Sequence, residues 1–255
     1  MKHASLWCFV ASGLCAQSLP VVSMQMDPDH IAQSLRDRKP VMTGADCAAL
    51  DLWECHSDYP DRISDLSLRW VQLDYDPELE AILVVEAKAE STYMAYVFDK
   101  QQSWRTVGTF SCERSCEPNS FIRVQKLTSD SPPLVLVRRD LGGSASFLMT
   151  TSAYHLHGGS LSQALEISTD EEVSLPPSER ITRRWVLPSQ DRLVIHTTRQ
   201  SVPARVRNSC EVYRWNPTSG VFESAPADRA QYCDPKTGTP IPGKSSPTGL
   251  GAYPK

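Results

Sequence analysis

RWVQLDYDPELEAILVVE, residues 69–86, is followed by YMAYVFDKQQSWRTVGTF, residues 93–110, and this order of segments occurs three times in the chain. The second copy reads IRVQKLTSDSPPLVLVRR from residue 122 and TSAYHLHGGSLSQALEI from residue 151. The third reads ITRRWVLPSQDRLVIHTT from residue 181 and CEVYRWNPTSGVFESA from residue 210. The tyrosines at the centres of the second segments, Tyr96, Tyr154 and Tyr213, are 58 and 59 residues apart. A near-constant spacing of this length indicates a repeated structural unit.

Each copy has the composition of a small β-sheet. A lead strand is followed by a polar turn, an apolar strand, the tyrosine strand, a second polar turn and a closing strand, and side chains in the tyrosine strands alternate with the period of two typical of strands. The sequence therefore predicts a mainly β fold, a propeller-like array of about three four-stranded β-units with a short helical N-terminal region. The predicted repeat domain covers residues 66–233, with repeats at 66–120, 121–178 and 179–233.

Both ends of the chain differ from the repeats. Lys2 precedes an uncharged run at residues 4–16, which is too short to span a bilayer and is typical of a secretory signal peptide cleaved after Ala16. A lipid anchor at Cys15 is the alternative. Residues 27–65 are predicted to form a helical cap region, because Asp27 and Pro28 are typical of a helix start. Residues 234–255, rich in proline and glycine, are predicted to be a disordered tail.

Six of the eight cysteines lie beyond the signal segment and fall into three close pairs. An even number of cysteines in an exported chain favours disulfides, and proximity favours local pairing. The alternative for the second pair is a metal site, although no second Cys or His pair lies nearby to complete it. The predicted disulfides are Cys47–Cys55, Cys112–Cys116 and Cys210–Cys233.

The composition restricts the class of partner. The 255 residues carry a net charge of −4, with 40% hydrophobic and 22% charged residues, which is ordinary for a globular protein. Nucleic-acid binders usually present a basic patch, so we expect no nucleic acid partner. No segment after residue 16 is long and apolar enough to be a membrane span. We therefore expect a secreted or periplasmic protein with a protein partner and an unknown oligomeric state.

The polar turns before the apolar strands contain carboxylates. In the first copy, Asp74, Asp76 and Glu78 alternate, and Glu80 follows. The second copy keeps Asp130 and the third Asp191. This order of acidic turn, apolar strand and tyrosine strand, over about residues 66–226, resembles the FG-GAP or VCBS-type repeats of integrin-like β-propellers. The resemblance implies a calcium loop, although the family's glycine is missing from all three copies. Only the first turn has enough carboxylates for a possible calcium site, formed by Asp74, Asp76 and Glu78. A solvated acidic turn is the alternative, and otherwise no cofactor is expected.

Other polar groups are candidates for metal binding, catalysis or partner binding. His155 and His157 would face the same way on a strand and suit a metal with a third ligand, but histidines at a turn are commonly exposed. The stretch from Gly142 to Ser146 lacks the nucleophile-elbow pattern and reads as a hairpin turn. No catalytic residues are predicted. The third copy is basic and aromatic, and Arg and Trp are enriched at binding hot spots. Arg184, Trp185, Arg199 and Arg205 are thus the predicted binding face, unless the arginines are simply solvated and Trp185 is buried.

These observations favour an exported, non-catalytic binding protein that recognises another protein, with inhibition of an envelope-active enzyme as a special case. A hydrolase acting on envelope glycans or peptides is the alternative, and a glycan-binding module is a third hypothesis. A pocket with converging carboxylates or histidines would favour the enzyme, and an exposed aromatic platform would favour the glycan binder. Fold class alone does not decide between these functions.

Overall fold

A computed structural model describes residues 27–37, 63–87, 92–101, 103–113, 121–142, 146–173, 178–189, 192–201 and 205–241. The predicted signal peptide and the predicted disulfide Cys47–Cys55 lie outside these residues. The described part is mainly β, as predicted, with twelve strands and two short α-helices. No helix in this part is long and apolar enough to cross a membrane.

The strands form two antiparallel sheets, each with its strands in chain order. The first sheet has four strands and the second has eight, and no closed propeller is found among the described residues. The strands of the first sheet are β1 (Ile63–Val71), β2 (Glu80–Ala87), β3 (Thr92–Lys100) and β4 (Trp104–Glu113). Those of the second are β5 (Ile122–Gln125), β6 (Leu134–Gly142), β7 (Ser146–His157), β8 (Ser160–Val173), β9 (Glu179–Ser189), β10 (Arg192–Ser201), β11 (Arg205–Asn216) and β12 (Val221–Ser224).

The three tyrosines that mark the repeat occupy corresponding positions. Tyr96 lies in β3 opposite Leu83, Tyr154 in β7 opposite Val135, and Tyr213 in β11 opposite Leu193. Each pair therefore joins the second and third strands of a four-stranded meander. The second and third meanders share one sheet, which the sequence did not predict. They are joined because residues 170–173 of β8 pair with residues 179–182 of β9.

Alternation of side chains along the strands builds a layered core. Ile82 and Val84 of β2 face the second meander, whereas Leu83 and Val85 face helix α1 (Pro28–Arg36). In the same way β6 contributes Val135 to the layer shared with the first sheet and Leu136 to the layer shared with the third meander. Strands buried on both faces read as continuous apolar runs, which is why 82–85 and 134–137 lack polar residues.

Helix α1 covers the outer face of the first sheet. Asp27 caps it by accepting a hydrogen bond from the Asp29 amide at 3.0 Å, and Pro28 occupies the first turn. Ile31 and Leu35, four residues apart on one face, are buried against β2 and β3. The predicted cap region thus contributes a helix that shields the first sheet from solvent.

The C-terminal segment covers the outer face of the third meander. Helix α2 (Arg229–Tyr232) leads to Cys233, which forms the predicted disulfide with Cys210 of β11. Residues 234–241 do not belong to a disordered tail, because Cys233 forms a β-bridge with Pro240 and the Ile241 amide donates to the Tyr232 carbonyl. Residues 242–255 lie outside the described residues. Cys112 is also disulfide-bonded, and its predicted partner Cys116 lies outside them as well.

Candidate functional site

Turns from all three meanders meet at one end of the strands. Together they line a cavity of about 470 Å³, called here the turn-end pocket. The β1–β2 turn contributes Asp74, Tyr75 and Asp76, and the β5–β6 turn contributes Asp130 and Pro132. The remaining walls come from the β7–β8 and β11–β12 turns and the strand ends beside them: His155, Leu156, His157, Gly158, Trp215 and Pro217. The pocket therefore combines the acidic turns with the histidine pair, which is distant from the first acidic turn in the sequence.

The β1–β2 turn, residues 74–80, is called here the acidic turn. The side-chain amide of Gln72 donates to the carbonyl oxygens of Asp74 and Asp76, each at 2.8 Å. The Asp74 carboxylate accepts from the Asp76 amide at 2.9 Å, and the Asp76 carboxylate accepts from the Glu78 amide at 2.8 Å. These local bonds are typical of Asx turns and hold the carboxylates in place.

Four carboxylates converge beneath the acidic turn. Oxygens of Asp74, Asp76, Glu80 and Asp99 lie within 4.8 Å of one another. Glu80 and Asp99 are almost fully buried, at 1% and 2% exposure. Asp99 comes from β3 and is placed beside Glu80 because the neighbouring residues, Ala81 and Phe98, are paired. Glu78, predicted as a ligand, lies outside this group and forms an ion pair with Lys100 at 3.8 Å.

The buried carboxylates have unusual protonation equilibria. The pKa of Glu80 is raised to about 7, mainly by burial and also by the charges of Asp74 and Asp76, against the hydrogen bond from the Leu73 amide. Burial also raises the pKa of Asp99, although Arg105, at 3.5 Å, lowers it. Arg105 is the cation that pairs with this group in the described part of the chain. The cluster therefore has more negative charge than its cationic neighbour balances.

The donor set fits a calcium ion. Calcium takes six to eight oxygen ligands at about 2.4 Å, so ligand atoms around one ion are separated by at most about 5 Å. The four carboxylates meet this limit and supply only hard oxygen donors, which zinc and copper sites seldom do. Asp74, Asp76, Glu80 and Asp99 would hold the ion, which would offset two of their four negative charges and join the acidic turn to β3.

The histidine pair forms the opposite wall of the pocket. The rings of His155 and His157 stack at a centroid distance of 5.6 Å, and His155 meets Trp215 edge-on at 5.2 Å. Burial lowers the pKa of His155, as does the charge of His157, while Asp74 raises it. His155 is therefore neutral at neutral pH, and its conformation is fixed by aromatic contacts. No third metal ligand joins the two histidines among the described residues.

Two glycines allow the turns to approach one another. Gly159 has φ of +72°, and a Cβ there would lie 1.3 Å from an Arg105 guanidinium nitrogen. Gly220 has φ of +67°, and a Cβ there would lie 2.8 Å from His155 Nδ1. Both positions favour glycine for conformation and for space. The β7–β8 turn thus contacts the arginine that pairs with Asp99, which links the histidine wall to the carboxylate cluster.

The residues of the predicted binding face in the third copy do not lie together on the surface. Trp185 is only 7% exposed and packs in the core between the second and third meanders. Arg184 lies opposite His196, whereas Arg199 lies opposite Ile181, so the two arginines point to opposite faces of the sheet. Arg205 is exposed at the start of β11, and Arg199 pairs with Glu179 at 3.6 Å. The four residues do not share one exposed surface.

No protein-family model matches the chain, and no curated protein or solved structure is similar to it. The site therefore has to be interpreted from its own geometry. The turn-end pocket has the features expected of a functional site, because turns from separate meanders converge there with buried acids, aromatic rings and titratable side chains.

Proposed function

We propose that the protein is an exported, non-catalytic binding protein that recognises another protein through the turn-end pocket, with a calcium ion in the acidic turn. The observation that carries this proposal is the convergence of turns from all three meanders on one pocket. In the same proposal, the meanders are three units of an open, propeller-like array related to FG-GAP or VCBS-type repeats. Helix α1 and the C-terminal segment cover its two ends.

The surface chemistry of the pocket favours a partner that presents a basic side chain. Asp74, Asp76 and Asp130 line it, and no Lys or Arg is among its lining residues. Tyr75, with 77% of its surface exposed, projects from the acidic turn and offers a large, rigid contact. A calcium ion removes two of the four negative charges of the cluster, so the pocket stays acidic when the ion is bound.

Affinity capture with matched variants tests the proposal. The protein is immobilised and exposed to an envelope extract from its own source, alongside Tyr75→Ala/Asp130→Asn/His157→Ala and the control Arg205→Ala. Tyr75, Asp130 and His157 are exposed, so this variant is expected to fold normally. We expect a partner that the wild type and Arg205→Ala retain and the pocket variant loses. A partner lost with Arg205→Ala and kept by the pocket variant would contradict the proposal.

A hydrolase is the second candidate, and the histidine wall is the observation that favours it. His155 is held in its neutral form and lies in a pocket that also contains carboxylates, which is the setting of a general base. Turnover of an envelope glycan or peptide that His157→Ala leaves intact and His155→Gln abolishes would support this candidate. Absence of partner capture together with such turnover would replace the binding proposal.

A further inference from the structure

A second cavity, of about 390 Å³, lies beside strands β7 to β10 and shares no lining residue with the turn-end pocket. Its lining includes one carboxylate, Asp170, and four arginines, which come from β5 and β9: Arg123, Arg180, Arg183 and Arg184. This cavity, called here the arginine cavity, is basic, although the net charge of the whole chain is −4. Of these four arginines, only Arg184 belongs to the binding face predicted from the sequence.

Two of the arginines are held in place by neighbouring acceptors. Arg180 donates through Nε and Nη2 to the two carboxylate oxygens of Asp170, at 3.3 and 2.8 Å. Arg183 donates through Nη1 to the Ser168 carbonyl and to the Glu171 carboxylate. A guanidinium has five N–H donors, so these bonds leave donors on both side chains for a ligand. Positioned arginines lose less conformational entropy when they bind an anion.

Arg184 supplies charge that the described part of the protein does not neutralise. It is exposed, and it forms no ion pair with any residue in that part. Arg180, Thr182 and Arg184 alternate along β9, so their side chains leave the same face of the strand, with about 7 Å between successive positions and about 13 Å between Arg180 and Arg184. A hydroxyl between two guanidinium groups on a rigid strand offers convergent donors to an oxyanion.

Glu171 and Glu179, two other carboxylates of β8 and β9, form no ion pair with Arg184 or Arg180 among the described residues. Glu171 is engaged by Arg183, and Glu179 by Arg199. Glu172 lies opposite Arg180 on β8 and adds negative charge at one end of the cavity. The end near Arg184 is therefore the more basic one, and the apolar side chain of Met149 also contributes to the lining.

We infer that the arginine cavity binds a small organic oxyanion, with its carboxylate or phosphate group between Arg184 and Arg180. The arginine fork matches the geometry of both groups and donates two parallel hydrogen bonds to either. The volume accommodates a ligand of metabolite size, and Thr182 and Gln200 provide neutral polar contacts for its remaining atoms. This site is independent of the turn-end pocket.

Calorimetric titration of the full-length protein with citrate, and separately with inorganic phosphate, tests this inference at constant ionic strength. We expect saturable binding of at least one anion, with Kd of about 1 mM or tighter, and the two titrations distinguish a carboxylate from a phosphate ligand. Arg184→Gln should weaken binding about tenfold, Arg184→Lys less, and the control Arg205→Gln not at all. Absence of saturable binding of both anions would overturn the inference, as would an equal loss with Arg205→Gln.

Discussion

Glu80 shows how the burial of one charged group determines the chemistry of the acidic turn. Its carboxylate is 1% exposed, accepts a hydrogen bond from the Leu73 amide at 2.5 Å and faces three further carboxylates. A buried charge without a matching cation is costly and becomes protonated unless a metal ion compensates it. Burial, the main cause of the raised pKa of Glu80, and the excess of negative charge around it thus favour either a proton or a calcium ion at this site.

The raised pKa of Glu80 predicts a pH dependence of stability in the metal-free protein. The folded state retains a proton that the unfolded chain releases above its ordinary pKa of 4.5. Stability is therefore highest below pH 4.5 as far as this group is concerned, and it falls as the pH rises towards 7. Glu80→Gln keeps the acceptor for the Leu73 amide and removes the titration, so its stability should change less over this range.

Urea unfolding in the presence of EDTA, at pH 5 and pH 7.5, measures this effect for both proteins. Calcium should remove the loss of stability in the wild type, because the ion binds the deprotonated carboxylates. Equal pH dependence in the wild type and Glu80→Gln would show that Glu80 does not titrate in this range.

Trp185 illustrates the limit of reading function from residue type. Arg184 next to a tryptophan suggested a binding face, yet strand alternation places Trp185 on the face opposite Arg184. Its indole Nε1 is buried without a hydrogen-bond partner among the described residues. An unpaired buried donor reduces the contribution of the side chain to stability.

Two substitutions at Trp185 should therefore lower the free energy of unfolding by very different amounts. Trp185→Ala removes a large buried side chain and should lower the free energy of unfolding by about 3–5 kcal/mol. Trp185→Phe keeps most of the packing and removes the unpaired N–H, so it should cost less than half as much. Chemical denaturation measures both values, and a cost of Trp185→Ala below about 1 kcal/mol would place the side chain outside the core.

At the scale of elements, the sequence predicted the order of strands and the first helix. It did not predict which side chains the pairing of strands brings together. The apolar runs and the Asp27–Pro28 start predicted the strands and α1, because alternation and capping are local signals. Asp99 was not predicted as a member of the carboxylate cluster, because it is 19 residues from Glu80 and meets it only through the β2–β3 register. That register was the signal that could have found it.

The disulfide between Cys210 and Cys233 attaches the C-terminal segment to β11. Both cysteines are buried with Val194, Val212 and Tyr232, and they are 23 residues apart. Replacing both by serine should lower the free energy of unfolding by about 3 kcal/mol, because the unfolded chain gains freedom in the opened loop. Thermal unfolding of this variant and of the wild type measures the loss, and an unchanged midpoint would show that the segment does not depend on the link.

At the scale of the whole molecule, the repeat in the sequence corresponds to a repeated arrangement of layers. Leu83, Val135 and Leu193 each face the preceding layer together with the tyrosine opposite them, so the three meanders present equivalent faces. The spacing of the repeats does not predict that the second and third meanders share one sheet. They share it because of four residue pairs between the end of β8 and the start of β9. The meeting of the turns at one end likewise follows from stacking and not from any local motif.

The proposed function depends most on the acidic turn, which forms one wall of the turn-end pocket and is proposed to hold calcium. Calorimetric titration of the metal-free protein with calcium at pH 7.5 tests this directly, using Asp99→Asn and the matched control Glu78→Gln. Asp99 lies in the carboxylate cluster, whereas Glu78 pairs with Lys100 outside it. We expect one calcium ion per chain, at least tenfold weaker binding to Asp99→Asn, and nearly unchanged binding to Glu78→Gln. No calcium binding by the wild type, or a larger loss with Glu78→Gln than with Asp99→Asn, would contradict it.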